Sequence, residues 1–364
     1  MPHTSLFDTA SIGNVIFKNR IMVAPMTRIS ASESGVPGEK MLNYYTRFAR
    51  GGFGALITEG IYIDTAWSQT YAFQPGIVND EQISGWKQIV RHSHNAGARI
   101  IAQLIHAGAL SQHNIYRLGT AAPSAIKPKG QQLEFYHGSG EYGIPEALGE
   151  QQIQAIITSF ADSAGRAVSK AGFDGVEIHA ANGYLLDQFL TDYTNARSDE
   201  WGGTLENRLA ITLSVIRAVR KEIGTDSVLG VRISQGKVND FHHKWKEGES
   251  GARTIFTLLA AAGVDYIHIT EYKSWLPAFE DGQRSLVEIA REAAPDTVII
   301  ANGGLDDGKL AEQLLGMGAD FVAIGKAALA NPDWPHKVES NLPLESLPED
   351  ILSPVADIKE KEQI

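Results

Sequence analysis

Short, unbroken apolar runs alternate eight times with longer amphipathic stretches along this chain, and this alternation limits the fold more than any other feature. The runs are Ile21–Pro25, Ala55–Glu59, Arg99–Leu104, Gly175–His179, Val228–Ile233, Tyr266–Thr270, Val298–Asn302 and Phe321–Gly325. They are apolar nearly throughout rather than at every second residue, so they read as parallel strands covered on both faces. The stretches between them carry helical stripes with readable stops. Ile83, Trp86, Ile89 and Val90 precede Gly97; Ile153, Ile156, Ile157, Phe160, Ala167 and Val168 precede Gly172; Leu209, Leu213, Ile216, Val219 and Ile223 precede Gly224. A weak internal echo links Ala171–Ile178, Ala262–Ile269 and Met317–Ile324, each with an Asp just before a strand. Eight such units predict a single closed (β/α)8 TIM barrel rather than an open doubly wound sheet. The first strand also lacks the G-x-G-x-x-G turn of a dinucleotide-binding sheet.

One domain therefore spans 1–364, with a barrel core over about 20–338. Residues 6–18 read as an N-terminal β-hairpin around Gly13-Asn14 that caps the barrel floor. Residues 106–149 follow the third strand, are rich in Gly, Pro and polar residues, and read as a lid-like insertion at the barrel mouth. The charged tail after Pro343 is expected to be flexible. The net charge of −11 argues against a nucleic-acid partner. The absence of cysteine excludes disulfides, thiolate metal sites, Cys-ligated iron–sulfur clusters and a Cys nucleophile. No apolar stretch approaches the roughly 20 residues of a membrane span. Met1-Pro2-His3-Thr4-Ser5 lacks a secretory pattern, so a cytoplasmic location is expected.

Reacting groups of such barrels sit at the C-terminal ends of the strands. In order these ends read Ala24-Pro25-Met26-Thr27-Arg28, Thr58-Glu59-Gly60, Gln103-Leu104-Ile105-His106 and His179-Ala180-Ala181-Asn182-Gly183-Tyr184. Arg232-Ile233-Ser234, Thr270-Glu271-Tyr272, Asn302-Gly303-Gly304 and Gly325-Lys326 follow. Nearly every end offers a polar group or a glycine where the apolar run stops, and that convergence marks the candidate site.

Ala24-Pro25-Met26-Thr27, Ile57-Thr58-Glu59-Gly60, Ala102-Gln103-Leu104 and His179–Tyr184, with Lys18-Asn19-Arg20, the segment Leu185–Leu190 and the stretch Asn195–Arg208, resemble the Old Yellow Enzyme family of FMN-dependent ene-reductases over residues 6–338. The resemblance implies bound FMN across the mouth and NADH or NADPH as reductant, with the preference between the two left open. It implies Pro25, Met26 and Thr27 beside the flavin ring, with the Thr27 hydroxyl on O4. Gly60 approaches the ring edge, Gln103 the pyrimidine edge, and Arg232 stands near N1 and O2. The backbone around Asn302, Gly303, Gly304, Gly325 and Lys326 cradles the phosphate. His179 and Asn182 donate hydrogen bonds to a substrate oxygen, and Tyr184 delivers a proton to the α-carbon after hydride reaches the β-carbon from flavin N5. The implied partner is a small electron-poor alkene or related electrophile; a homo-oligomer stays open. Lys326 stands where relatives often have Arg, Ile105 where some have Trp, and Thr27 where some have Cys.

Two other readings compete. A Schiff-base barrel aldolase has candidate lysines in Lys273 and Lys326, although neither lies in an apolar run. A non-catalytic flavin-binding protein could share the scaffold, against which stands the intact His179–Asn182–Tyr184 set. His92-Ser93-His94 lies late in a helix, where i,i+2 side chains diverge, so no metal is expected there. Tyr62, Tyr71, Tyr136 and Trp275 are candidates for the mouth lining, and the Asn195–Arg208 stretch reads as a structural latch.

Overall fold

The computed structural model describes residues 5–363; the first four residues, part of the start read above as non-secretory, lie outside it. The chain opens with an antiparallel hairpin of β1 (Ala10–Ile12) and β2 (Val15–Phe17) around Gly13-Asn14, with Gly13 at φ +54°. Its inward residues Ile12 and Phe17 are fully buried against Met22, Ile57, Ile101, Tyr266, Ile300 and Phe321, so the hairpin plugs the barrel floor as expected.

The remaining strands are β3 (Ile21–Val23), β4 (Ala55–Ile57), β5 (Ile61–Tyr62), β6 (Arg99–Ile105), β7 (Ala121–Ala122), β8 (Glu146–Ala147), β9 (Gly175–Asn182), β10 (Val228–Lys237), β11 (Tyr266–Thr270), β12 (Val298–Asn302) and β13 (Phe321–Ile324). Parallel pairing runs β3-β4-β6-β9-β10-β11-β12-β13 and returns to β3, which closes the barrel. Helices α1 (Glu39–Arg50), α2 (Asp80–Asn95), α3 (Glu150–Gly165), α4 (Leu185–Leu190), α5 (Leu205–Ile223), α6 (Gly248–Ala261), α7 (Leu286–Ala293), α8 (Gly308–Gly316), α9 (Lys326–Ala330) and α10 (Trp334–Glu339) fill the connections. Their apolar stripes, such as Ile83, Trp86, Ile89 and Val90 of α2, pack in the shell between strands and helices.

The internal echo has a physical cause. Asp174, Asp265 and Asp320 each accept, at 2.8 Å, the backbone N–H of the second residue of the preceding barrel strand: Ile100, Leu229 and Ile299. Each carboxylate thus satisfies a strand-end N–H at the barrel floor, and the motif recurs because the αβ entry recurs.

The insertion over 106–149 lies at the mouth. The latch reading suits its base, since the Arg197 guanidinium donates to Pro123 O (3.1 Å) and Leu148 O (2.5 Å), the residues just after the paired strands β7 and β8 of the lid. Its inner reach is Tyr136, whose hydroxyl donates to Thr27 O at 3.3 Å and whose ring lies 4.4 Å from that of Tyr71.

The tail differs from expectation. Rather than fraying, it docks: Ile351, Ala356, Ile358 and Glu362 are all buried. Its charge is the reason. Glu362 meets the fully buried Arg28 at 2.5 Å and Arg47 at 3.1 Å, and a buried guanidinium requires such a partner.

Candidate active site at the barrel mouth

Strand register builds the site. His179 of β9 lies beside Arg232 of β10, which lies beside His268 of β11; one layer below, Glu177, Gly230 and Tyr266 align in the same way. Gly230 is required there, because a Cβ would fall 1.9 Å from the Tyr266 ring. With that space open, the Tyr266 hydroxyl crosses to Glu177 Oε2 (2.9 Å), which also accepts from His268 Nδ1 (2.8 Å); Gln103 Nε2 donates to Glu177 Oε1 (2.8 Å). Burial pushes the Glu177 carboxyl up, but His268, the Arg232 charge and the Gln103 hydrogen bond outweigh it and hold the group below the usual carboxylate range. Burial pushes the His268 pKa down, against the Glu177 carboxylate that raises it. The fully buried layer beneath the mouth therefore carries one carboxylate, which offsets Arg232 above it.

Arg232 is held from one side only. Its Nη2 donates to Asn302 Oδ1 (2.8 Å) and Thr270 Oγ1 (3.1 Å), and Asn302 is itself oriented by a bond from Nδ2 to Ala323 O (2.8 Å). Arg232 Nε is buried without a partner.

His179 is 3% exposed, and burial, followed by the Arg232 charge, pushes its pKa down to about 3, so the ring is neutral. The Ala181 N–H donates to Nδ1 at 3.3 Å, which assigns the proton to Nε2. Nε2 has no protein partner among the described residues, so it is a free donor. Asn182 follows at φ +62° and Gly183 at φ +87°; Asn tolerates this left-handed turn better than most side chains. The turn is fixed from behind. Gly183 N donates to Asp187 Oδ2 (2.6 Å), and the buried Lys237 ammonium holds both Asp187 oxygens at 2.8 and 2.9 Å. Tyr184 then presents its ring 5.0 Å from His179 and its hydroxyl 2.7 Å from that of Tyr71. Burial pushes the Tyr184 phenol up to about 12, against the Tyr71 hydrogen bond and Arg232 charge that lower it.

Across the mouth, Pro25, Met26 and Thr27 are half-buried after β3, while Gly60 and Gln103 are buried. Gly303 and Gly304 take φ of +132° and +69°, and a Cβ on Gly303 would strike Glu271 O at 1.7 Å. A Cβ on Gly325 would have only Ala24 and Met26 near it, at 3.9 Å, so this glycine faces open space. Lys326 is exposed at the start of α9, as is Lys273 in the loop after β11, and neither has the apolar burial a Schiff-base amine needs. Among the mouth-lining candidates, Tyr71 and Tyr136 meet Tyr184 and Thr27, and Trp275 lies over Gly304. Tyr62 instead bonds Gln82 and Tyr116. His94 pairs with Asp174, and no metal-binding cluster occurs among the described residues.

The chain matches the NADH:flavin oxidoreductase / NADH oxidase family over residues 5–345. The chain belongs to this family. It is 34% identical to the chanoclavine-I aldehyde reductase of Penicillium roqueforti, over 93% of this chain and 90% of that protein. It is 32% identical to the NADH oxidase of Thermoanaerobacter brockii over 92% of this chain, yet spans only half of that longer protein. The old yellow enzyme homologue from Zymomonas mobilis superposes with a TM-score of 0.87 at 30% identity, covering 99% of this chain and 98% of the other.

This Old Yellow Enzyme relative is thus an FMN-dependent oxidoreductase that draws on NAD(P)H, and the aldolase alternative falls away. Its mouth fits FMN. The unpartnered Arg232 Nε supplies a buried cationic donor for an acceptor-rich ring edge, and the open space at Gly325 leaves room where a side chain would otherwise project. Sequence reading missed Glu177, Tyr266 and His268 beneath the mouth and the Asp187–Lys237 pair behind the turn. A lone acid inside an apolar strand, such as Glu177, was the available signal. Among the described residues, no helix is long and apolar enough to cross a membrane.

Proposed function

We propose that this flavoenzyme reduces carbon–carbon double bonds activated by a carbonyl or nitro group, such as enones, enals and nitroalkenes. The observation that carries the reading is the neutral His179, whose free Nε2–H stands beside a protonated, buried Tyr184. FMN, when bound, relays hydride from NADH or NADPH to the β-carbon. Thr27, Gly60, Gln103 and Arg232 hold its ring with Pro25 and Met26 alongside, and the backbone of Asn302, Gly303, Gly304, Gly325 and Lys326 takes its phosphate. Gln103 Nε2 already serves Glu177, which leaves its carbonyl oxygen for the ring. His179 Nε2–H and the Asn182 amide polarise the substrate oxygen and stabilise the charge that gathers there. Tyr184 gives its proton to the α-carbon and needs no special acidity, since a phenol is protonated at neutral pH. The activity of the Penicillium relative, an aldehyde reductase, supports a carbonyl-bearing substrate.

The test is spectroscopic. The purified protein is expected to show flavin absorption, to bleach anaerobically with NADPH or NADH, and to regain colour on adding cyclohexenone. A bleached protein that recovers colour with oxygen but with no enone, enal or nitroalkene contradicts the proposed substrate class.

A further inference from the structure

The turn that carries Thr27 is clamped from two directions. Ile29 sits at φ +34°, a strained value for a β-branched residue. Beneath it, the buried Glu59 carboxylate accepts the Arg28 N–H at 3.1 Å. From outside, the Arg28 side chain is held by the C-terminal segment: Nε donates to Ala356 O (3.0 Å), Nη2 to Asp357 O (2.7 Å) and Ile351 O (3.3 Å), and Nη1 and Nη2 to the Glu362 carboxylate (2.6 and 2.5 Å). The same Ala356 donates its N–H to Phe135 O of the lid at 2.9 Å. Phe135 precedes Tyr136, whose hydroxyl returns to Thr27 O. Tail, lid and Thr27 turn thus form one closed circuit of hydrogen bonds.

We propose that the segment 351–362 is a strap that positions the lid residue Tyr136 over the mouth, with Glu362 as its fastening. The proposal rests on the reading that Thr27 and Tyr136 border the flavin and substrate. Glu362 touches neither, so it is a positioning residue acting through Arg28 and Ala356. Its weight comes from charge: two buried guanidiniums, Arg28 and Arg47, share this one carboxylate, so the tail does not detach without leaving cations unpaired. A tail serving stability alone has no need to join the lid and the Thr27 turn through the same residue.

Two readouts on the holoenzyme test this. Hydrogen exchange is measured by mass spectrometry in wild type and Glu362→Gln. The strap requires faster exchange in residues 131–138 of the lid as well as in the tail; acceleration confined to the tail overturns it. Steady-state kinetics with cyclohexenone supply the second readout. Glu362→Gln is expected to raise KM about tenfold, the effect of about one lost positioning bond, while the single-turnover rate of flavin reduction by NADPH stays unchanged. Combined with Tyr136→Phe, the effects are expected to fall short of multiplying, because both changes break one circuit; independent, multiplying effects contradict the proposal. If Glu362→Gln fails to fold, Ala356→Pro, which removes the N–H to Phe135 and keeps the carbonyl that accepts from Arg28, is put through the same exchange measurement. A wild-type enzyme inactive on enones sinks the substrate reading, while the exchange result still decides the strap.

Discussion

The hydroxyls of Tyr71 and Tyr184 lie 2.7 Å apart in a buried pair, with the Tyr136 ring tilted against that of Tyr71 at 4.4 Å. This contact lowers the cost of drawing a proton from Tyr184, because a phenolate there has one donor waiting. Tyr71→Phe removes the donor and keeps the ring. The rate of reoxidation by cyclohexenone is expected to fall about tenfold, with flavin reduction unchanged, as stopped-flow absorbance can read. Equal slowing of both half-reactions contradicts a role through Tyr184.

His179 and Asn182 are expected to act as a pair of donors to a substrate oxygen. In the variant with both changed to Ala, dissociation constants for enones and phenols, followed by flavin absorbance, should rise on the order of a hundredfold while flavin stays bound. His179 also has a pH signature. Its folded pKa of about 3 lies below the unfolded value near 6.5, so its contribution to stability is complete above about 6.5 and is lost as pH falls toward 3. His179→Gln should flatten that part of the acid-side decline in Tm.

Glu59 behaves in the opposite sense. Burial raises its carboxyl to about 7, against the Arg28 N–H that lowers it, so folding takes up a proton between the unfolded value near 4.3 and that point. The stabilising contribution is complete below about 4.3 and is lost as pH rises through 7. Glu59→Gln keeps an acceptor for Arg28 and cannot ionise. Its Tm is expected to vary less than wild type between pH 5 and 8, and parallel Tm curves would show that Glu59 is already ionised across this range.

Arg232 and Glu177 offset each other's charge within the barrel. Arg232→Met is expected to lower flavin content, make bound flavin harder to reduce, and cost on the order of 3 kcal/mol through the stranded carboxylate. Adding Glu177→Gln should restore part of the stability in thermal melts but not the flavin potential. A double variant no more stable than Arg232→Met would show that the two charges are not coupled.

The barrel was legible because eight buried strands leave eight apolar runs, and the echo of Asp174, Asp265 and Asp320 marked a contact made three times at the floor. The mouth was legible because strand ends converge there whatever their separation in sequence. The polar layer beneath it was not. Glu177 lies 89 residues from Tyr266, and nothing local announces a partner that only register brings near. The tail failed for the same reason, since Glu362 reads as one more surface charge until Arg28, 334 residues away, is seen buried against it.

The half-reactions of Tyr184→Phe test the central claim most directly. In anaerobic stopped-flow, flavin reduction by NADPH is expected to match wild type, while reoxidation by cyclohexenone slows by about a hundredfold or more, consistent with loss of a general acid. Reoxidation at the wild-type rate, or equal loss in both steps, would contradict the assignment of Tyr184 as the proton donor of this site.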